Sequence, residues 1–307
     1  MNELITTEKL SKHYKDVVAV SEVSLHVKKS EIYGFLGLNG AGKTTTIRML
    51  LGMIRPTFGS AYIHGKKVFA DNLDLWKDVG YLVEIPYSYP NLTLRENLEI
   101  TRRLRHISDK NAIDKVIDKL HLNAYVNRKA KNLSLGNAQR LGLAKALIHN
   151  PEILILDEPT NGLDPAGIFE IRELLHDLAE NQGVTIFISS HILGEISRFA
   201  NRIGIIHEGK LLQEVDTKSL EQYCKKVLIV DTNHNEEVFG LLNQKGISYT
   251  KREDNKIEIK EEEAIKHPEN IANLLVNANF PPIQLNVVEE DLESYFLRTI
   301  AAKGGEK

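Results

Sequence analysis

Two short stretches of this chain carry residue types that together handle a nucleoside triphosphate. Residues 37–44, Gly-Leu-Asn-Gly-Ala-Gly-Lys-Thr, match the spacing G-x-x-x-x-G-K-[ST]. Glycine lets the backbone curl so that successive N–H groups around Asn39, Gly40, Ala41 and Gly42 face phosphate oxygens. The start of a following helix adds positive potential. Lys43 is expected to reach the β- and γ-phosphates, the Thr44 hydroxyl to bind Mg²⁺, and Thr45 to close the cradle. Further on, Ile153-Leu-Ile-Leu leads into Asp157-Glu158. Four apolar residues carry an acidic pair to a strand end, where ligands bind in open α/β sheets. Asp157 suits Mg²⁺, and Glu158 suits the polarisation of an attacking water as general base. Loop and acidic pair together point to a nucleotide hydrolase.

These side chains need a frame. Glu31–Gly37 reads as a strand entering a glycine turn, and Thr44–Leu51 as a helix stopped by Gly52 and Pro56. Ile153–Leu156 and Thr185–Ile188 are apolar runs of the fully buried strand type. Strands alternating with helical periods predict an α/β cassette with a parallel-rich sheet over residues 1–216. Apolar spacing of three and four predicts helices over 93–123 and 138–149, so that about 93–149 forms an inserted helical subdomain. After Thr217 the texture changes: the first part carries a net charge of +1 and the remainder −4. In 217–307, strands are expected at 226–231, 247–251, 256–260 and 283–288, and helices at 235–244, 263–278 and 290–301. That order predicts a small accessory α+β domain, ferredoxin-like or similar.

Composition narrows the classes. With 307 residues, 39 basic against 42 acidic and a net charge of −3, no overall electrostatic case exists for nucleic-acid binding. The single cysteine, Cys224, excludes an intramolecular disulfide and fits a reducing compartment. The first residues lack an apolar core of signal-peptide length, and no apolar run approaches the length of a membrane span. Arg102, Arg103 and Arg105 read as a solvated helix face beside Glu96 and Glu99, and Trp76 and Cys224 as packing residues.

A third group of residues carries a family resemblance. Leu133-Ser134-Leu135-Gly136-Asn137 resembles the LSGGQ signature of ATP-binding cassette (ABC) ATPases, with Leu135 for the first Gly and Asn137 for the Gln. Pro159–Asp164 resembles the D-loop region, Ser189-Ser190-His191 the switch histidine, and Tyr14 falls where the family places an aromatic ring against adenine. The resemblance implies two cassettes packed head to tail around two ATP molecules. Ser134 and the N–H of Gly136 would contact the γ-phosphate held by the opposite copy. His191 would hold water and Glu158 in line, and Asp164 would touch the facing copy.

One position departs from the family. Where most members carry Gln, this chain has Glu84, within Tyr81–Pro86. Together with the signature and the C-terminal extension, this resembles the ATPases of bacitracin resistance and lantibiotic immunity. The resemblance implies an exporter subunit that uses ATP and Mg²⁺, with Thr44, Glu84 and Asp157 at the metal. It would sit peripherally on the cytoplasmic face of the membrane, with a separate transmembrane permease as partner and an antimicrobial peptide as indirect substrate. The alternative is a soluble ABC ATPase of DNA repair or translation.

Overall fold

The computed structural model describes residues 3–304 apart from positions 70, 72, 85, 86 and 253. The chain divides into two compact units, one holding residues up to Lys218 together with those from Ile300 onward, the other spanning Ser219–Thr299. Among the described residues no helix is long and apolar enough to cross a membrane.

The first unit opens with three strands, β1 (Glu3–Tyr14), β2 (Val17–Val23) and β3 (His26–Lys28), before β4 (Ile32–Leu36) and α1 (Lys43–Leu50). Strands β5 (Phe58–Ile63), β6 (Lys66–Lys67) and β7 (Val79–Leu82) follow, then helices α2 (Leu94–Leu104), α3 (Ala112–Lys119) and α4 (Leu135–Leu147). The alternation resumes with β8 (Ile153–Asp157), α5 (Pro165–Glu180), β9 (Thr185–Ser190) and α6 (Leu193–Phe199), and ends in the pair β10 (Arg202–His207) and β11 (Lys210–Asp216).

Two sheets result. The six-stranded sheet runs β11-β10-β4-β9-β8-β7. All its pairs are parallel except β10 with β11. Its central strands are buried along their whole length, as continuous apolar runs require. The second sheet, β2-β1-β5-β6 with β3 also on β1, is antiparallel. One apolar core joins the two, with Ile5, Leu10 and Val20 meeting Phe35, Ile155 and Phe187 around Ile47 and Leu50 of α1. The helical 93–123 stretch forms the two successive helices α2 and α3. Helix α2 starts on a capping box between Thr93 and Glu96 and stops at Arg105, where His106 turns to φ 55°.

The second unit holds α7 (Leu220–Tyr223), β12 (Lys226–Thr232), α8 (Asn235–Gln244), β13 (Tyr249–Lys251), β14 (Ile257–Ile259), α9 (Glu262–Lys266), α10 (Pro268–Asn277) and β15 (Pro282–Glu289), followed by α11 (Leu292–Gly304). Its sheet, β13-β14-β12-β15, is antiparallel throughout, the strand order of a ferredoxin-like sandwich. Leu228, Val230, Ile257 and Ile259 pack under Val238 and Leu242 of α8 and Leu275 of α10. The single helix expected over 263–278 is broken at His267. The reason is Pro268: its ring excludes the preceding residue from helical geometry while suiting the first position of α10.

Candidate nucleotide site

The loop between β4 and α1 is shaped by contacts that leave no room for side chains. A Cβ on Gly42, which sits at φ 105°, would stand 2.5 Å from the Ala19 carbonyl oxygen. A Cβ on Gly37 would stand 2.5 Å from the Ile206 carbonyl oxygen. The backbone is thereby pressed into the curl that exposes Asn39 and Gly40 above α1. Lys43 opens α1 and folds back under the loop, its Nζ donating to the Gly37 carbonyl at 2.8 Å and the Leu38 carbonyl at 3.3 Å. A cleft of about 810 Å³ lies over this loop, bordered by Asn39, Gly40, Lys43, Thr44, Thr45 and Glu158, and by Asp16–Ala19 at the β1–β2 turn. Tyr14 stands on that hairpin, exposed, with Lys12 Nζ 5.0 Å from its ring centre.

The acidic pair meets the loop across the sheet. The Thr44 hydroxyl donates to Asp157 Oδ2 at 2.7 Å, and the Ser189 hydroxyl donates to Asp157 Oδ1 at 2.6 Å. Glu158 follows at φ 47°, a turn that aims its carboxylate back at the loop. Its Oε1 lies 3.1 Å from Lys43 Nζ, while its Oε2 accepts from Asn161 Nδ2 at 2.6 Å and meets His191 Nδ1 at 3.1 Å. Burial raises the proton affinity of Glu158, but hydrogen bonds from Asn161 and Lys43, with the charges of Lys43 and His191, outweigh it and hold the carboxyl below its ordinary range. Among the described residues no group of three His, Cys, Asp or Glu side chains converges as a metal site. The paired oxygens of Thr44 and Asp157 nevertheless fit Mg²⁺, a hard cation that keeps waters and phosphate oxygens and asks few ligands of the protein.

The remaining sequence-expected residues lie on other elements. Ser134 caps α4 by accepting the Asn137 N–H at 3.3 Å, and Gly136 lies in the first turn. Leu135 is exposed, and it packs on Gly162 so closely that a Cβ there would come within 2.2 Å of Leu135 Cδ2. Asp164 caps α5, accepting from Gly167 N–H at 3.0 Å. Glu84 sits just past β7 at φ 56°; its Oε1 is 2.5 Å from Arg48 Nη2, and it pairs there rather than with Thr44 or Asp157. Ile85 and Pro86 of the same loop lie outside the described residues. Glu84 and Arg48 border a groove of about 620 Å³ with Met53, Tyr81, Tyr87 and Lys145. Burial pushes Lys145 down to about 8.

Two side chains at the acidic pair escaped assignment from sequence, Asn161 and Ser189. Their only signal was position, three residues after Glu158 and two before His191. The arginine cluster is not a uniformly solvated face. Arg103 is exposed, but Arg102 is tucked against Glu99 and the Ile107 carbonyl, and Arg105 reaches the carbonyls of Trp76 and Val79.

Comparison with known proteins places this geometry. The family profile described as ABC transporter matches residues 20–161. The chain is 42% identical over 302 residues, 98% of both chains, to the bacitracin transport ATP-binding protein BcrA of Bacillus licheniformis. It is 37% identical over 231 residues, 74% of this chain and 99% of the other, to the lantibiotic transport ATP-binding protein SrtF of Streptococcus pyogenes. Among solved structures, the dimeric ATP-binding cassette MJ0796 in a post-hydrolysis state with ADP and Pi aligns with a TM-score of 0.65 at 26% identity, over 70% of this chain and 99% of that one. With a phosphate-cradling loop, an acidic pair at the neighbouring strand end and relatives of this extent, the chain belongs to the ABC transporter family, as an ATP-binding, ATP-hydrolysing subunit.

Proposed function

We propose that this chain powers the export of a membrane-active peptide antibiotic of the bacitracin or lantibiotic class, as a dimer docked on a separate permease at the cytoplasmic face of the membrane. The observation that carries the substrate class is the 42% identity, over nearly the whole of both chains, to a protein named for bacitracin transport. In this reading residues 1–216 are the cassette and 217–307 an accessory domain.

The chain's own groups divide the work. The amides of Asn39, Gly40, Ala41 and Gly42, with Lys43, Thr44 and Thr45, bind the phosphates, and Tyr14 lies against the adenine. Thr44 and Asp157 would hold Mg²⁺, which would supply neutralisation of phosphate charge. Lys43 exchanges its carbonyl and Glu158 partners for phosphate oxygens. Glu158, thereby released at Oε1, is the general base that takes a proton from the attacking water. His191, 3.1 Å from Oε2, keeps that carboxylate in line and reaches the γ-phosphate. Ser134 and Gly136 of one copy complete the site of the other, and Asp164 meets the facing copy. Because each site is shared, binding closes the dimer and hydrolysis reopens it. The bulk of Leu135 is taken up by Gly162 of its own chain. Glu84 links the metal to the permease, for which it must leave Arg48.

The test is protection. Cells carrying the full chain with a cognate permease should tolerate bacitracin or a lantibiotic better than cells carrying Lys43→Ala with the same permease. If a panel of peptide antibiotics shows no Lys43-dependent protection, the peptide assignment fails.

A further inference from the structure

Among the described residues Ser189 is the one side chain that hydrogen-bonds to both halves of the acidic pair. Its hydroxyl donates to Asp157 Oδ1 at 2.6 Å and accepts the backbone N–H of Glu158 at 3.0 Å. The residue is wholly buried, and the parallel register of β8 and β9 sets it directly beside Asp157. A serine hydroxyl has one proton to give, so the chain of bonds has one direction: Glu158 amide to Ser189 hydroxyl to Asp157 carboxylate. The other oxygen of Asp157 is engaged by Thr44, which leaves the carboxylate clamped from two sides. Glu158 occupies a left-handed backbone conformation that a residue with a Cβ keeps only when its surroundings hold it there. Ser189 holds its amide, and Gln139 Nε2 reaches its carbonyl at 3.3 Å. Phe187, two residues earlier on the same face of β9, is apolar and wholly buried. A hydroxyl in that row needs partners, and both of its partners belong to the acidic pair.

We propose that Ser189 is a positioning residue of the ATPase: its hydroxyl orients Asp157 toward the metal and pins the turn that aims Glu158. This rests on the roles of Asp157 and Glu158 proposed above. Removing the hydrogen-bond partner of a metal-ligating carboxylate typically costs about 10- to 100-fold in metal affinity or activity.

The experiment measures ATP binding by calorimetry on the full-length chain, with Mg²⁺ and with EDTA, beside steady-state hydrolysis. Ser189→Ala should keep wild-type ATP affinity in EDTA, need roughly tenfold more Mg²⁺ for half-maximal binding, and lose roughly ten- to hundred-fold in kcat with KM little changed. Ser189→Thr, which retains the hydroxyl, should recover both properties. Unchanged Mg²⁺ requirement and kcat in Ser189→Ala overturn the proposal, as does equal weakening with and without Mg²⁺. Should Ser189→Ala lower the thermal midpoint, Ser189→Cys fills the volume with a weak donor and is judged by the same split. Glu158→Gln separates the two layers: if it turns over normally, the reading of the acidic pair falls and takes this proposal with it. If it is inactive while Ser189→Ala behaves as wild type, only the role of Ser189 falls.

Discussion

Glu158 and Glu84 are carboxylates held in opposite ways. Glu158 is enclosed by Lys43, Asn161 and His191, so its charge is spoken for and its direction set. Glu84 is exposed, and its pair with Arg48 is a surface ion pair, the kind worth about 0–1 kcal/mol. The proposed metal-linked role of Glu84 requires it to give up this weak pair. Glu84→Ala should therefore bind ATP nearly normally yet lose coupled protection against the peptide. Glu84→Gln, keeping one acceptor oxygen but no charge, should retain part of the protection with an altered Mg²⁺ requirement. Mg²⁺ titrations of ATPase activity, with tolerance assays on both variants, check this. Unchanged titrations and full protection in Glu84→Ala would mean that the position merely tolerates either side chain.

The joint between α4 and β7 ties the helical insertion to the parallel sheet, and it is tight. A Cβ on Gly80 of β7 would stand 2.2 Å from the Ala146 carbonyl oxygen of α4. His149, just past α4, contributes Nε2 to the Val79 carbonyl at 3.2 Å, while Arg105 approaches the same carbonyl. Burial, and then the charge of Arg105, pushes the His149 imidazole down to about 4. In the unfolded chain it titrates near 6.5, so between these values the unfolded state binds a proton that the folded state refuses. Stability should thus fall as pH drops from about 6.5 to 4, by at most about 3 kcal/mol from this group, less what solvent screening of its partly exposed ring removes. His149→Gln can still donate to Val79 but does not titrate, and its urea-unfolding free energy should depend less on pH over that window. Equal pH slopes in variant and wild type would show that His149 is not the group responsible.

At the scale of the whole molecule, the residues proposed to carry the hydrolytic chemistry all belong to the first unit. The starts of α4 and α5, with Ser134 and Asp164, are occupied as caps within the chain, and the proposed dimer would seat their outer faces on a second copy. A cassette that binds ATP but cannot hydrolyse it should stay closed on its twin. Glu158→Gln should lose about 10²–10⁴-fold in turnover, the usual cost of losing a general base, and should accumulate as an ATP-dependent dimer. Light scattering after size exclusion, with and without ATP and Mg²⁺, reads the second effect. A monomer under all conditions would count against the shared-site mechanism.

The sequence by itself determined the phosphate loop, the acidic strand end and the parallel strands around them. Each is written within a few neighbouring residues: glycine spacing, an unbroken apolar run, a β-branched strand before a helical period. The strand and helix order of 226–301 was legible for the same reason, apart from the break that Pro268 imposes. Contacts between distant segments decided the rest. The antiparallel sheet forms because β1 pairs with β5, some fifty residues away, and no local pattern announces that partner. Asn97 is spent on the carbonyls that precede α2, Leu135 on Gly162, and Glu84 on Arg48. Ser189 meets Asp157 across 32 residues of chain because two parallel strands happen to align there. Spacing along a chain encodes backbone geometry and one-sided burial. Which polar group answers which is settled only when the packed fold fixes the acceptors that each buried donor can reach.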